Sequence, residues 1–369
     1  MSWRTKVEWP ERKRDYLRIK KLNHRIYKKA LSDLQTELTF SEPGEVVVLT
    51  GPSRAGKTSL LKHLVKEYLE SSGNDCASEF PFVYVEAKNK SQEGKFSSKA
   101  FFTDLAEALQ HPAFSANVED GRHREQNVRR VDRRTTADLM TGCERALRHL
   151  DTRYLAIDEA QHIQWHGNSP HVRAAILDSF KSFASSANVT LVLTGAYPIV
   201  GMLRSSNHLV GRSSLLEIPR YLATAEDAED FLSVLDWFSK GVRFERDVSS
   251  LCDWAGYIHQ HSFGVVGAVG RWLRIAMGKM VADGSDVLAW KYMDEARRND
   301  GDLASIGAEI RLGEELLNKT PVEDPTIWRE KAEARNPSPQ SEEAPPEGRR
   351  RKLKPFEMKN RVYRKKFNK

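Results

Sequence analysis

The sequence predicts an α/β fold: a parallel β-sheet with helices on both faces, joined to a smaller helical unit. Three observations predict it. The residues Gly51-Pro52-Ser53-Arg54-Ala55-Gly56-Lys57-Thr58 spell a phosphate-binding loop set between an apolar run and an amphipathic stretch. Five short apolar runs alternate with helical patterns, the signature of strands covered on both sides. Past about residue 224 the pattern becomes helical throughout.

In chain order, residues 11–38 read as largely helical and precede the sheet. Val46–Thr50 is the first strand, short and apolar as a buried strand must be. After the loop, Leu60, Leu61, Leu64, Val65, Tyr68 and Leu69 form one helical face, which Gly73 is placed to end. Phe82–Glu86, Tyr154–Ile157, Thr190–Thr194 and Leu215–Ile218 supply four more strands. Helical patterns lie between them at about 57–71, 99–110, 136–150 and 171–186. Ala225–Phe238, Val248–His259, Val265–Val281 and Asp286–Arg297 then form a small helical domain packed on the core. The division expected is a basic helical extension (1–38), a nucleotide-binding core (39–222), a helical lid (223–330), a Pro/Ser/Glu-rich linker (331–348) and a basic tail (349–369).

A loop of this pattern at a helix N-terminus turns its backbone N–H groups toward a polyphosphate. Gly51 to Thr58 and Ser59 are therefore the nucleotide-binding residues, with Lys57 reaching the β- and γ-phosphates and Thr58 ligating Mg²⁺. Such a loop needs a carboxylate partner, and Tyr154-Leu155-Ala156-Ile157-Asp158-Glu159 ends an apolar strand in two acids. Asp158 is assigned to the Mg²⁺ shell and Glu159 to the general base that activates water. The 107 residues between Gly51 and Asp158 leave room for an extra strand, which suits ATPases of the AAA+ kind better than nucleotide kinases or small GTPases. With no Asn-Lys-x-Asp guanine motif in the chain, ATP is expected over GTP.

Charge is unevenly spread. The chain of 369 residues carries +7 overall, but residues 349–369 carry +10 and residues 1–29 carry +8, leaving the body at −11. Basic arms on an acidic body fit a polyanionic partner or an acidic protein groove. Phe356, Tyr363 and Phe367 are interleaved with Lys and Arg in the C-terminal arm. Cys76, Cys143 and Cys252 stand far apart without metal-ligand spacing and read as reduced thiols of a cytoplasmic protein. The charged start of the chain does not read as a signal peptide, and no apolar run is long enough to span a membrane.

Asp158-Glu159-Ala160-Gln161-His162, together with the phosphate loop and the Thr194-Gly195 strand end, resembles the TnsC/TniB family of AAA+ regulators of Tn7-like DNA transposition. The likeness spans roughly residues 30–285. It implies that Thr194 orients the attacking water and that Arg212 serves as an arginine finger, with Arg204 and Arg220 as rivals. It further implies that Arg271, opening a lid helix, contacts the γ-phosphate. The expected activity is ATP hydrolysis used as an assembly switch, with Mg²⁺ as cofactor. The expected partners are double-stranded DNA, a transposase, a target-selection protein and further copies of the chain in a ring or helical filament. In that family DNA is met by the segment between the second and third strands. Here it holds Lys88, Lys90, Lys95, Lys99, Arg122, Arg124, Arg129, Arg130, Arg133 and Arg134, of which Lys95, Lys99, Arg129, Arg130, Arg133 and Arg134 are the chosen contacts. The alternatives are an initiator or helicase loader, which would usually carry a winged helix, and a signalling or defence NTPase that binds a protein. A small-molecule kinase is the most distant.

Overall fold

The computed structural model describes residues 22–71, 81–89, 96–113, 133–166, 170–204 and 213–335. Gly73, Cys76, Lys90, Lys95, Arg122, Arg124, Arg129, Arg130, Arg212, residues 1–21, the linker from 336 on and the basic tail 349–369 lie outside the described residues.

Five parallel strands form one sheet: β1 (Val46–Thr50), β2 (Phe82–Glu86), β3 (Tyr154–Asp158), β4 (Thr190–Thr194) and β5 (Ser213–Glu217), in the order β2-β3-β4-β1-β5. Every residue of β1, β3 and β4 is buried, which is why these strands read as unbroken apolar runs. Alternate residues feed two cores. Val47, Leu49, Ala156 and Val192 face one side, where α1 (Arg25–Phe40) and α2 (Lys57–Ser71) pack. Val46, Val48, Leu155, Ile157, Leu191 and Leu193 face the other, covered by α3 (Ser98–Ala108), α4 (Thr136–His149), α5 (Pro170–Ala187) and α6 (Pro198–Arg204). Cys143 of α4 and Cys252 are buried free thiols; burial pushes the Cys143 thiol up to about 12, out of reach of ordinary redox chemistry.

The helices begin where side chains can satisfy free N–H groups. Ser97 caps α3, and Thr135 closes a capping box with Asp138 on α4. After β5 the described chain is helical: α7 (Ala225–Ser239), α8 (Ala255–Ser262), α9 (Val266–Ala282), α10 (Trp290–Glu295), α11 (Asp300–Leu316) and α12 (Ile327–Arg335), with a single isolated bridge between Phe244 and Leu288.

Three boundaries differ from the sequence expectation. The stretch Val248–His259 is a 3₁₀ turn, Leu251–Trp254, followed by α8, because Ser250 and Asp253 form a capping box at the turn. The last expected helix, Asp286–Arg297, shrinks to α10, since Leu288 N–H instead donates to the Arg243 carbonyl at 2.7 Å. The fifth strand begins two residues earlier than Leu215, with Ser213 and Ser214 in register with Val46 and Val47. The N-terminal helix is no appendage. Its Ile26, Tyr27, Ala30, Leu34 and Leu38 belong to the core, and Arg25 joins Glu226, Asp227 and Asp230 of α7.

No helix among the described residues is long and apolar enough to cross a membrane.

Candidate nucleotide site at the carboxyl edge of the sheet

In a parallel sheet all strands end on one edge, so β1, β3 and β4 deliver their following loops to the same place. Strand order makes β4 the only strand between β1 and β3. The loop Gly51–Gly56, the pair Asp158–Glu159 and the turn Thr194-Gly195-Ala196-Tyr197 therefore converge. The Gly195 N–H donates to the Leu49 carbonyl at 3.1 Å, tying the β4 end to the β1 end.

The loop needs its glycines. Gly51 has φ +145° and Gly56 φ +101°, and Arg54 between them is left-handed at +70°. A Cβ on Gly51 would lie 2.3 Å from the Ile218 carbonyl oxygen just past β5, so the loop hugs the neighbouring strand. Around Gly56 a Cβ would meet nothing within 4 Å, leaving open the space that a phosphate cradle requires.

Lys57 opens α2, is half-buried, and donates through Nζ to the carbonyls of Gly51 (2.8 Å) and Pro52 (2.9 Å). Burial lowers its pKa to about 8, while Glu159, Glu309 and Asp158 act in the opposite direction. On the other side, α9 abuts the loop: a Cβ on Gly267 would fall 2.3 Å from the Arg54 carbonyl oxygen. Burial lowers the Arg54 pKa, and Arg271, Arg298 and Arg274 lower it further. Arg271 is thus placed in an arginine group beside the loop, exposed on the first turns of α9.

Asp158 is 2% exposed and fully oriented. Its Oδ2 accepts from the Tyr84 hydroxyl at 3.0 Å and its Oδ1 from the Glu159 N–H at 2.9 Å. Burial, followed by the Asp158 charge, raises the Tyr84 phenol, so Tyr84 stays a donor. Glu159 has φ +54° and a side chain 42% exposed, turned outward where a strand would have sent it back into the core. It accepts from Gln161 Nε2 and lies 4.0 Å from His162 Nε2, which is itself 3.3 Å across Nδ1 from Asn89 Nδ2.

The oxygen donors fit a hard divalent ion. A hydroxyl (Thr58) and one oriented carboxylate (Asp158) are too few for an all-protein cage but suit Mg²⁺, which keeps waters and takes substrate phosphates as further ligands. Among the described residues no group of three His, Cys, Asp or Glu forms a separate metal cluster.

Other sequence-predicted positions are less direct. Thr194 ends β4 fully buried, and its Oγ1 has no hydrogen-bond partner, as is true of Thr50 at the end of β1. Of the finger rivals, Arg204 ends α6 exposed. Arg220 is excluded from reaching a neighbour: it is 8% exposed and bound by Glu314 at 2.7 Å and Glu323 at 3.0 Å. Lys99 in the first turn of α3 and exposed Arg133 and Arg134 before α4 lie at helix starts. In the chain α3 follows β2 and α4 precedes β3. Tyr84 and Gln161 were not singled out from sequence; Tyr84 in β2 gave no signal beyond an ordinary strand aromatic.

Residues 41–203 match a family model described as an AAA domain, spanning β1 to α6 and both acidic and phosphate-binding motifs. No curated protein matches the chain. Among solved structures it is similar to the ORC1 protein of Aeropyrum pernix in complex with DNA, at 15% identity and TM-score 0.52 over 77% of this chain and 68% of that one. It is similar to the ORC2 protein of Aeropyrum pernix in ADPNP–ADP complexes, at 14% identity and TM-score 0.50 over 77% and 71%. Cdc6p of Pyrobaculum aerophilum gives 14% and 0.50 over 88% and 89%. At these identities the likeness is one of fold. The fold is that of a P-loop AAA+ protein, a five-stranded parallel sheet followed by a helical C-terminal region.

Proposed function

We propose that this chain is an ATP-hydrolysing switch that assembles on double-stranded DNA in its triphosphate state. The observation that carries the hydrolytic part is the convergence of Lys57 with Asp158 and Glu159 on one sheet edge, close enough for both acids to act on the lysine charge. In this reading the Lys57 ammonium leaves the Gly51 and Pro52 carbonyls for the β- and γ-phosphates. Thr58 and Asp158 would hold Mg²⁺, which would supply positive charge to offset that of the phosphates. Glu159, with its carboxylate turned outward, takes the proton of the attacking water. Thr194 orients that water, Arg271 meets the γ-phosphate from the lid, and Arg212 or Arg204 completes the site of a neighbouring copy.

DNA as partner is supported by the basic residues Lys99, Arg133 and Arg134 between β2 and β3, by the basic arms, and by a fold shared with an ORC1 protein solved on DNA. Phosphate contacts of this type give affinity without sequence preference. The finer assignment, a TnsC/TniB-like regulator linking a target selector to a transposase, rests on the DEAQH and Thr194-Gly195 strings alone. An initiator or helicase loader is favoured by the ORC/Cdc6-like fold, but the described chain after β5 is helical and shows no paired wing.

The test is electron microscopy of the protein with random-sequence duplex and ATP, a slowly hydrolysed analogue, or ADP. Rings or filaments with the triphosphates only, lost in Lys57→Ala and locked in Glu159→Gln, are expected. Assembly indifferent to nucleotide, or absent at low salt, rejects the proposal.

A further inference from the structure

We infer that Gln161 is a positioning residue that latches the base Glu159 to the turn at the end of β4; the inference rests on the hydrolytic reading of the site. The geometry has three parts. Gln161 Oε1 accepts the Ala196 N–H at 3.1 Å. Because an amide N–H can only donate, that contact fixes the opposite end of the side chain as the NH₂ group. That end donates to Glu159 Oε2. Finally, Gly195 leaves the room: a Cβ there would lie 2.5 Å from Gln161 Oε1 and 3.3 Å from Gln161 N.

Gln161 and Gly195 are thus a fitted pair, 34 positions apart in the chain and brought together by β3 and β4 being neighbours. A free glutamate side chain samples several rotamers. One whose Oε2 is held by an amide donor keeps Oε1 available in a single direction, which is what proton abstraction from a positioned water requires. The anchor at Ala196 is on a firm turn. Next to it Tyr197 is buried, donates its hydroxyl to Glu217 at 2.7 Å, and carries α11 against its ring at Gly313. Glu159, the turn after β4 and α11 are therefore one connected body, with Gln161 as the link nearest the chemistry.

The experiment uses the full chain and reads three quantities: steady-state ATP turnover, affinity for a fluorescent ATP analogue, and hydrogen exchange of the Ala196 amide. Gln161→Ala is expected to lower kcat about 10-fold, the scale typical of lost outer-shell partners, with analogue affinity and KM within about 2-fold of wild type. Its Ala196 amide should exchange faster. Gln161→Glu keeps an acceptor for Ala196 but offers Glu159 no donor, so kcat should fall as in Gln161→Ala while the amide stays protected. Gly195→Ala should mimic Gln161→Ala, and adding it to Gln161→Ala should cost less than it does in the wild type, because the oxygen at 2.5 Å is gone and only the contact to the residue-161 N at 3.3 Å remains tight. Wild-type kcat in both Gln161 variants, in a protein whose Glu159→Gln form is inactive, overturns the latch alone. Undiminished turnover in Glu159→Gln overturns the hydrolytic reading, and the latch with it.

Discussion

Arg220 offers the sharpest separation between a structural and a catalytic role. It follows β5, and its guanidinium makes four bonds, to Glu314 at 2.7 and 3.4 Å and to Glu323 at 3.0 and 3.2 Å. Glu323 also accepts the Ala223 N–H at 3.0 Å. Burial pushes the Glu323 carboxyl up, but the Arg220 and Ala223 bonds outweigh it and hold it below the ordinary range. The arginine side chain is 8% exposed, Glu314 10% and Glu323 30%. Arg220→Met would strand one nearly buried carboxylate and one partly buried one, at a cost of about 3–5 kcal/mol. The same change at an exposed pair would cost under about 1 kcal/mol. Pairing it with Glu314→Met removes the stranded charge and should recover most of the loss, because Glu323 can still reach water. Urea unfolding of the wild type, both single variants and the double variant measures this cycle. A trans-acting finger would instead leave stability intact and abolish turnover. Arg220→Met within about 1 kcal/mol of wild type would refute the burial argument.

Three further outcomes are expected. His24 sits against the Tyr221 hydroxyl at 2.9 Å, and burial, opposed by Asp230, lowers it to about 4. The unfolded chain protonates His24 below its ordinary value and the folded chain does not, so stability is lost as pH falls from about 6.5 to 4. The loss is up to about 2 kcal/mol by pH 5, and the urea midpoint of His24→Gln should depend less steeply on pH there. Gly51→Ala places a Cβ 2.3 Å from the Ile218 oxygen at φ +145°, and should weaken fluorescent-nucleotide binding by about 1–3 kcal/mol; unchanged affinity would mean that the loop is free of β5. Gly313→Ala strikes the Tyr197 ring at 2.1 Å and should loosen α11, read as faster hydrogen exchange across residues 300–316 with β1 and β3 unchanged.

Much of this molecule was legible because burial on both faces leaves a strand no choice of composition. Val46–Thr50, Phe82–Glu86 and Thr190–Thr194 stand as expected from apolar runs alone. The edge strand β5 was misplaced since its residues are only half-buried and its Ser213-Ser214 start carries no apolar signal. α11 falls in the region expected to be helical, but its bounds are not marked, for a different reason. Its inward face is Gly307, Ile310, Gly313 and Glu314, and a helix packed through glycines and a carboxylate shows no hydrophobic stripe. Those glycines are small because aromatic rings of Phe263 and Tyr197 lie against them. Within the site, Lys57, Asp158 and Glu159 followed from local motifs. Arg220 could not be sorted from its rivals, since its partners lie 94 and 103 residues away and only the fold supplies them. Gln161 sat inside a string already noticed, yet its role depends on Ala196, a residue no motif marks.

The charges around the loop explain why its two halves belong together. Arg54, with Arg271, Arg274 and Arg298 near it, makes one flank strongly positive, while Asp158, Glu159 and Glu309 surround Lys57 with negative charge. A polyphosphate entering this edge is drawn by the first flank and repelled by the second. Lys57 alone offsets one of three acids, and its ammonium is already weakened by burial. Asp158, held by Tyr84 and the Glu159 N–H, is the acid that would ligate a divalent cation, whose positive charge would offset that repulsion. Glu159 is exposed enough to meet water and is tied through Gln161 to the turn after the neighbouring strand. A loop that only gripped phosphate would gain affinity by losing that second acid. Its presence on this edge, at a left-handed backbone angle, is the feature that favours the proposed hydrolytic reading over a passive nucleotide holder.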